Sequence, residues 1–147
     1  MQVDLIITPD KTEGTVFAVS GSPEDSGARN SHGDIYIKYD PRTRTGYSLR
    51  YWRTTRSAAA CTYQFYKIEK GVGSPLTDEQ VQSGVFKRNT HVTMKTIGAT
   101  ILVEGRNTVD DQTLKMRAPI KPNSFSGAGV AASGAANIYS QVRVSYP

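Results

Sequence analysis

The side chains in this 147-residue chain with the clearest chemical potential are Tyr36, Lys38, Arg50, Trp52, Gln64 and Tyr66. All six fall on even positions of three runs whose apolar residues fall mainly on odd ones. Successive side chains of a strand point to opposite faces, so the six share one surface if the hairpins keep even register. Flat aromatic rings beside long donors suit sugars: Trp52 and Tyr66 would stack on C–H faces, while Arg50, Lys38 and Gln64 bond hydroxyls or carboxylates. Single-stranded nucleic acid fits the same mixture, since bases stack and phosphates pair with cations. A plainer reading has Trp52 and Tyr66 half-buried beneath a loop or the opposite sheet.

Catalysis finds no comparable support. A glycosidase needs two carboxylates facing each other across the scissile bond. Asp110-Asp111 and Glu24-Asp25 are adjacent pairs in turns or loops, while Asp34 and Asp40 are placed to flank turns. No GxSxG elbow occurs. His32 and His91 are far apart, without the spacing of metal ligands, and His91 reads as a sheet-surface residue. Gly71-Val72-Gly73 and Gly127-Ala128-Gly129 lack the strand–turn–helix setting of a phosphate loop. Cys61 is alone, which excludes an intrachain disulfide. Calcium takes six to eight oxygens. Glu24, Asp25 and Asn30, or Asp110 and Asp111, could contribute some, but the sequence assigns no ligands and requires no cofactor.

Charge is concentrated in one segment. Lys38, Arg42, Arg44, Arg50, Arg53 and Arg56 are accompanied only by Asp40, in a chain of net charge +5. No known nucleic-acid-binding motif accompanies them.

Period-two alternation dominates, and no long stretch holds a helical period. Ten strands are expected: Val3 to Thr8, Thr15 to Ser20, Gly33 to Asp40, Tyr47 to Thr55, Ala60 to Glu69, His91 to Ile97, Thr100 to Glu104, Thr113 to Arg117, Gly129 to Ala132 and Asn137 to Tyr146. Such a chain is all-β, a sandwich or barrel. Pro75 to Gln82 is the single helical candidate, a turn capped by Thr77. Gly21 to His32 and Pro119 to Gly127 read as loops. Ile35, Ile37, Tyr39, Leu49, Tyr51, Cys61, Tyr63 and Phe65 form the expected core face. With 37% hydrophobic residues and no repeat, residues 1–147 read as one domain. No run is long enough to span a bilayer as a helix. The start lacks the pattern of a signal peptide, so an exported form would have lost its signal or be a fragment of a longer chain.

Asp34-Ile35-Tyr36-Ile37-Lys38-Tyr39-Asp40, Thr45-Gly46-Tyr47-Ser48-Leu49-Arg50 and Arg53-Thr54-Thr55 resemble the middle strands of concanavalin A-like (laminin G-like) domains. More narrowly, they are similar to such domains appended to secreted bacterial polysaccharide-degrading enzymes. Val3 to Pro9 with Gly14 to Phe17 fits the early strands of that fold, and Phe125 to Val130 with Asn137 to Val144 fits the last two. The resemblance implies a two-sheet antiparallel jelly roll, with a concave sheet that often binds glycan and with calcium often bound. It also implies an extracellular, periplasmic or cell-surface location and a catalytic domain attached in the parent chain. The expected function is a non-catalytic carbohydrate-binding module for a plant or microbial polysaccharide, a uronate-rich one fitting the basic segment. Members of the family also serve as spacers, so the alternatives are an accessory domain that packs on a catalytic neighbour, and a nucleic-acid-binding β domain.

Overall fold

The computed structural model describes residues 2–7, 16–23, 32–53, 61–82, 90–107, 111–133 and 137–145. In chain order the strands are β1 (Gln2–Ile7), β2 (Val16–Pro23), β3 (His32–Asp40), β4 (Thr45–Arg53), β5 (Cys61–Glu69), β6 (Val72–Pro75), β7 (Gln80–Gln82), β8 (Thr90–Ile97), β9 (Thr100–Asn107), β10 (Thr113–Pro119), β11 (Gly127–Ser133) and β12 (Asn137–Ser145). Each of the ten expected strands has a counterpart, within a few residues at either end.

One sheet runs β1-β11-β3-β4-β5-β6, with β7 also paired to β5; the other runs β10-β9-β8-β2-β12. Every pairing is antiparallel. The late strands β11 and β12 insert beside early ones, one in each sheet, which gives a jelly-roll sandwich. Between the sheets lies one apolar cluster. Ile35, Ile37, Leu49, Cys61, Tyr63 and Phe65 enter it from the first sheet, and Val92, Met94, Ile101, Val103 and Leu114 from the second.

Two expectations need correction. Tyr39 is not on the core face. Pairing of β3 with β4 shifts between Ile37 and Asp40, and Lys38 adopts φ 52°, so a bulge at Lys38 reverses the alternation. Tyr39 consequently joins Tyr36, Ile68 and Ala131 in a separate cluster on the outer face. Nor does Pro75 to Gln82 form a helical turn, and no helix occurs among the described residues. Leu76 N–H donates to Phe65 O (2.8 Å), and the Thr77 hydroxyl oxygen accepts from Phe65 N–H (3.3 Å). The edge of β5 uses the groups that a helical turn would have needed, and β6 and β7 are the two strands that result.

Candidate functional site

The outer face of β3, β4 and β5 carries the polar side chains. Asp34, Arg50 and Gln64 stand directly opposite one another across the three strands, and Tyr36, Ser48 and Tyr66 form the adjacent row. This is the even register expected from the sequence.

Asp34 organises the face. Its residue is only 1% exposed, and a carboxylate so placed must be matched by charge and hydrogen bonds. Ser48 Oγ donates to Oδ1 (2.9 Å), Arg50 Nε donates to the same oxygen (3.0 Å), and His32 Nε2 lies 3.0 Å from Oδ2. Burial alone would raise the Asp34 pKa, but the His32 hydrogen bond and the Arg50 charge outweigh it and hold the carboxyl below its ordinary range. Asp34 therefore does not flank a turn. Asp40 does: it accepts from Arg42 N–H (3.0 Å) and the Thr43 hydroxyl (2.7 Å).

With Nε fixed on Asp34, the Arg50 guanidinium lies over the Tyr66 ring, 4.3 Å from its centroid. Stacking of this kind stabilises by about 0.5–2 kcal/mol. Arg50 thus leans toward the neighbouring row. Its terminal nitrogens lie beside Gly73 on β6, where an added Cβ would sit 3.2 Å from Tyr66 Cδ1 and 3.5 Å from Arg50 Nη2. All four β6 residues are exposed, while the Arg50 side chain beside them is 18% exposed. Among the described residues neither terminal nitrogen has a hydrogen-bond acceptor.

Gln64 completes the arrangement. Its Nε2 donates to Thr77 O (2.7 Å), which ties β5 to the β6–β7 link. Its Oε1 is buried with no partner, alone in that respect among the described residues.

The other three expected site residues have different surroundings. Tyr36 stacks on Tyr39, with centroids 4.4 Å apart. Lys38 lies in the bulge, 6% exposed, and its carbonyl accepts from Asn123 Nδ2 (3.1 Å). Trp52, opposite Thr62, is 5% exposed. Tyr66 is 6% exposed, so both rings are enclosed and neither forms an open platform. The structure brings Arg50, Tyr66 and Gln64 together, with Tyr36 and Trp52 packed on the same face and Lys38 set apart.

The sequence reading did not count Asp34, Ser48 and His32 among the site residues, although alternation sets Asp34 and Ser48 on the same face as Tyr36 and Arg50. Alternation was the available signal, since His32 and Asp34 share the parity of Tyr36. A carboxylate directly opposite Arg50 becomes visible only once the register is known.

Asp34 is the one carboxylate that the described residues bring to this cluster, whereas glycoside hydrolysis needs two. Of the candidate calcium ligands, Glu24, Asp25, Asn30 and Asp110 lie outside the described residues, and Asp111 Oδ1 takes two hydrogen bonds from Arg106. No group of three His, Cys, Asp or Glu suited to a metal occurs among the described residues. His91 is exposed on β8, as expected.

Neither a protein-family model nor a curated protein matches the sequence. Solved structures do. The carbohydrate-binding module CBM66 from Bacillus subtilis superposes with a TM-score of 0.69 at 16% identity, over 97% of this chain and 82% of that one. The CBM2 module of the evolved Dit of Lactobacillus casei BL23 phage J-1 gives 0.70 at 9% identity, over 97% and 67%. Bacillus licheniformis β-glucanase gives 0.55 at 11% identity, over 92% and 67%. These likenesses establish the jelly-roll fold, which is shared by binding modules and by an enzyme.

Proposed function

We propose that the chain is a non-catalytic carbohydrate-binding module that holds a polysaccharide against the outer face of β3–β5. One observation carries the reading: the Arg50 guanidinium, clamped by Asp34 over Tyr66, has no hydrogen-bond acceptor for its terminal nitrogens among the described residues. A donor fork already fixed by its own carboxylate loses little entropy when a ligand arrives. Gln64 braces the face through its bond to Thr77, and Tyr36 and Trp52 support the face from within it. Two of the compared structures are carbohydrate-binding modules, in keeping with this role. A polysaccharide-degrading domain attached in a longer parent chain, and an extracellular, periplasmic or cell-surface location, belong to the same proposal. No helix among the described residues is long and apolar enough to cross a membrane.

Contacts of this kind are few and wet, so the expected dissociation constant is about 10–1000 μM, or roughly −7 to −4 kcal/mol. Calorimetric titration with a panel of plant and microbial polysaccharides tests the proposal. A saturable ligand should bind at least tenfold more weakly to Tyr66→Leu. If no glycan binds, the module reading is rejected.

The accessory-domain alternative has its own support. Val72 is 68% exposed and Val81 54% exposed, on the two short strands that both pair with β5. Apolar side chains on such an edge suit a packed neighbour. Nucleic acid has less, because the basic segment is dispersed. The Arg42 side chain is 86% exposed on the β3–β4 turn, Arg44 is exposed on the same turn, and Arg50 is matched by Asp34. Side chains of Arg53 and Arg56 lie outside the described residues.

A further inference from the structure

We infer that the cleft between the β3–β4 turn and the segment leading into β11 holds one neutral sugar residue of the polysaccharide, through neighbouring hydroxyls that accept from Arg42 and donate to Asp40. The inference rests on the carbohydrate-binding reading and adds a subsite that the Arg50 row does not include.

Interrupted pairing makes the cleft. β3 bulges at Lys38, and its register with β11 shifts between Gly127 and Gly129. Pairing of the two strands ends with Gly127 opposite Tyr39. Beyond that pair, Asp40, Pro41 and Arg42 from the turn and Ser124, Phe125 and Ser126 from the segment before β11 line a space of about 430 Å³. Small-ligand sites measure about 300–1,000 Å³. Both walls are already fixed. Asp40 accepts from Arg42 N–H and the Thr43 hydroxyl on one side. On the other, Asn123 Nδ2 donates to Lys38 O (3.1 Å), Asn123 Oδ1 accepts from Phe125 N–H (3.0 Å), and Lys121 N–H donates to the Tyr47 hydroxyl (3.0 Å). A cleft so held loses little entropy when a ligand arrives.

Its polar groups call for hydroxyls. Arg42 Nη2 lies 3.8 Å from Asp40 Oδ2, too far for a hydrogen bond. The Arg42 side chain is 86% exposed, and its guanidinium has no hydrogen-bond acceptor among the described residues. Asp40 keeps accepting capacity beyond its two bonds, since a carboxylate offers about four lone-pair sites. A hydroxyl both donates and accepts, so neighbouring hydroxyls of one sugar ring serve both groups. A uronate carboxylate only accepts: it would gain Arg42 but face Asp40, whose bond from the Thr43 hydroxyl holds its carboxyl below the ordinary range and therefore ionised. Half-buried Phe125 supplies an apolar wall for the C–H face of the ring.

The experiment follows the backbone amides of the intact chain by nuclear magnetic resonance during titration with oligosaccharides of mannan, galactan and xylan, and with oligogalacturonate. It is repeated with Arg42→Ala and Ser124→Leu. Both side chains are exposed, and Arg42→Ala keeps the backbone N–H that Asp40 accepts, so both variants should fold. A neutral oligosaccharide should move the amides of Asp40, Arg42 and residues 124–126 and bind more tightly than oligogalacturonate. Its affinity should fall about tenfold in each variant, the scale of one hydrogen bond to a charged group. Shifts confined to β4 and β5, with affinity unchanged in both variants, would overturn the inference while leaving the module reading intact. Tighter binding of oligogalacturonate in the cleft would do the same. Absence of binding to every oligosaccharide would overturn both.

Discussion

Asp34 shows how a single buried carboxylate can set the geometry of a face. It takes hydrogen bonds from Ser48 and Arg50 and contacts His32, so Asp34→Asn should cost about 1.5–3 kcal/mol near neutral pH, the range for hydrogen bonds to charged groups. Because the folded pKa is depressed, that stabilisation is complete above the unfolded carboxyl value of about 3.9. It is lost as pH falls through the lower folded value. Denaturant melts of the two proteins should therefore converge below about pH 4 and stay separated above it; a constant gap across that range would show that the ionised carboxylate is not what stabilises. Trp52 allows a second check, as the only tryptophan. At 5% exposure its fluorescence should be blue-shifted and resistant to iodide, whereas red-shifted, readily quenched emission would contradict the packed face.

Among the strands, the β3–β4 hairpin is the most tightly specified. The bulge at Lys38 brings its carbonyl so close to Gly46 that an added Cβ would lie 2.4 Å from Lys38 O. Gly46→Ala must therefore displace backbone, with an expected cost of about 1–3 kcal/mol. Gly98, at φ +56° in the β8–β9 turn, has nothing within 4 Å of the same construction, so Gly98→Ala bears only the left-handed penalty of about 1–2 kcal/mol. Urea midpoints should rank the two variants in that order. In the β6–β7 link, Thr77→Val removes the acceptor of Phe65 N–H and should cost about 1 kcal/mol. A much smaller loss would mean that water replaces the hydroxyl there.

For the molecule as a whole, both sheets close on one apolar cluster, so they should unfold together. Phe65 is fully buried within it, and Phe65→Ala should cost about 3–5 kcal/mol. Far-ultraviolet circular dichroism and Trp52 fluorescence should shift by the same amount, since coincident probes mark a single cooperative transition. Separate midpoints would indicate that the outer face of the first sheet melts independently of the core.

Alternation in the sequence was sufficient to locate ten strands and the inner face of β3, β4 and β5, because burying one side of a sheet forces a period of two wherever the pairing is regular. Given even register between the hairpins, the same pattern placed Arg50, Gln64 and Tyr66 on one face, and the pairing supplies that register. Tertiary structure decided what alternation cannot encode. The bulge at Lys38 moved Tyr39 to the other face, because a bulge depends on the partner strand as well as its own. The edge of β5 turned an expected helical turn into two short strands, because an open row of backbone groups outcompeted a local cap. Most consequentially, the approach of Asp34 to Arg50, the stacking of Arg50 on Tyr66 and the orphaned oxygen of Gln64 arise between strands. Residue types and spacing identified the face, and only the distances across it determine which of its groups remain free for a ligand.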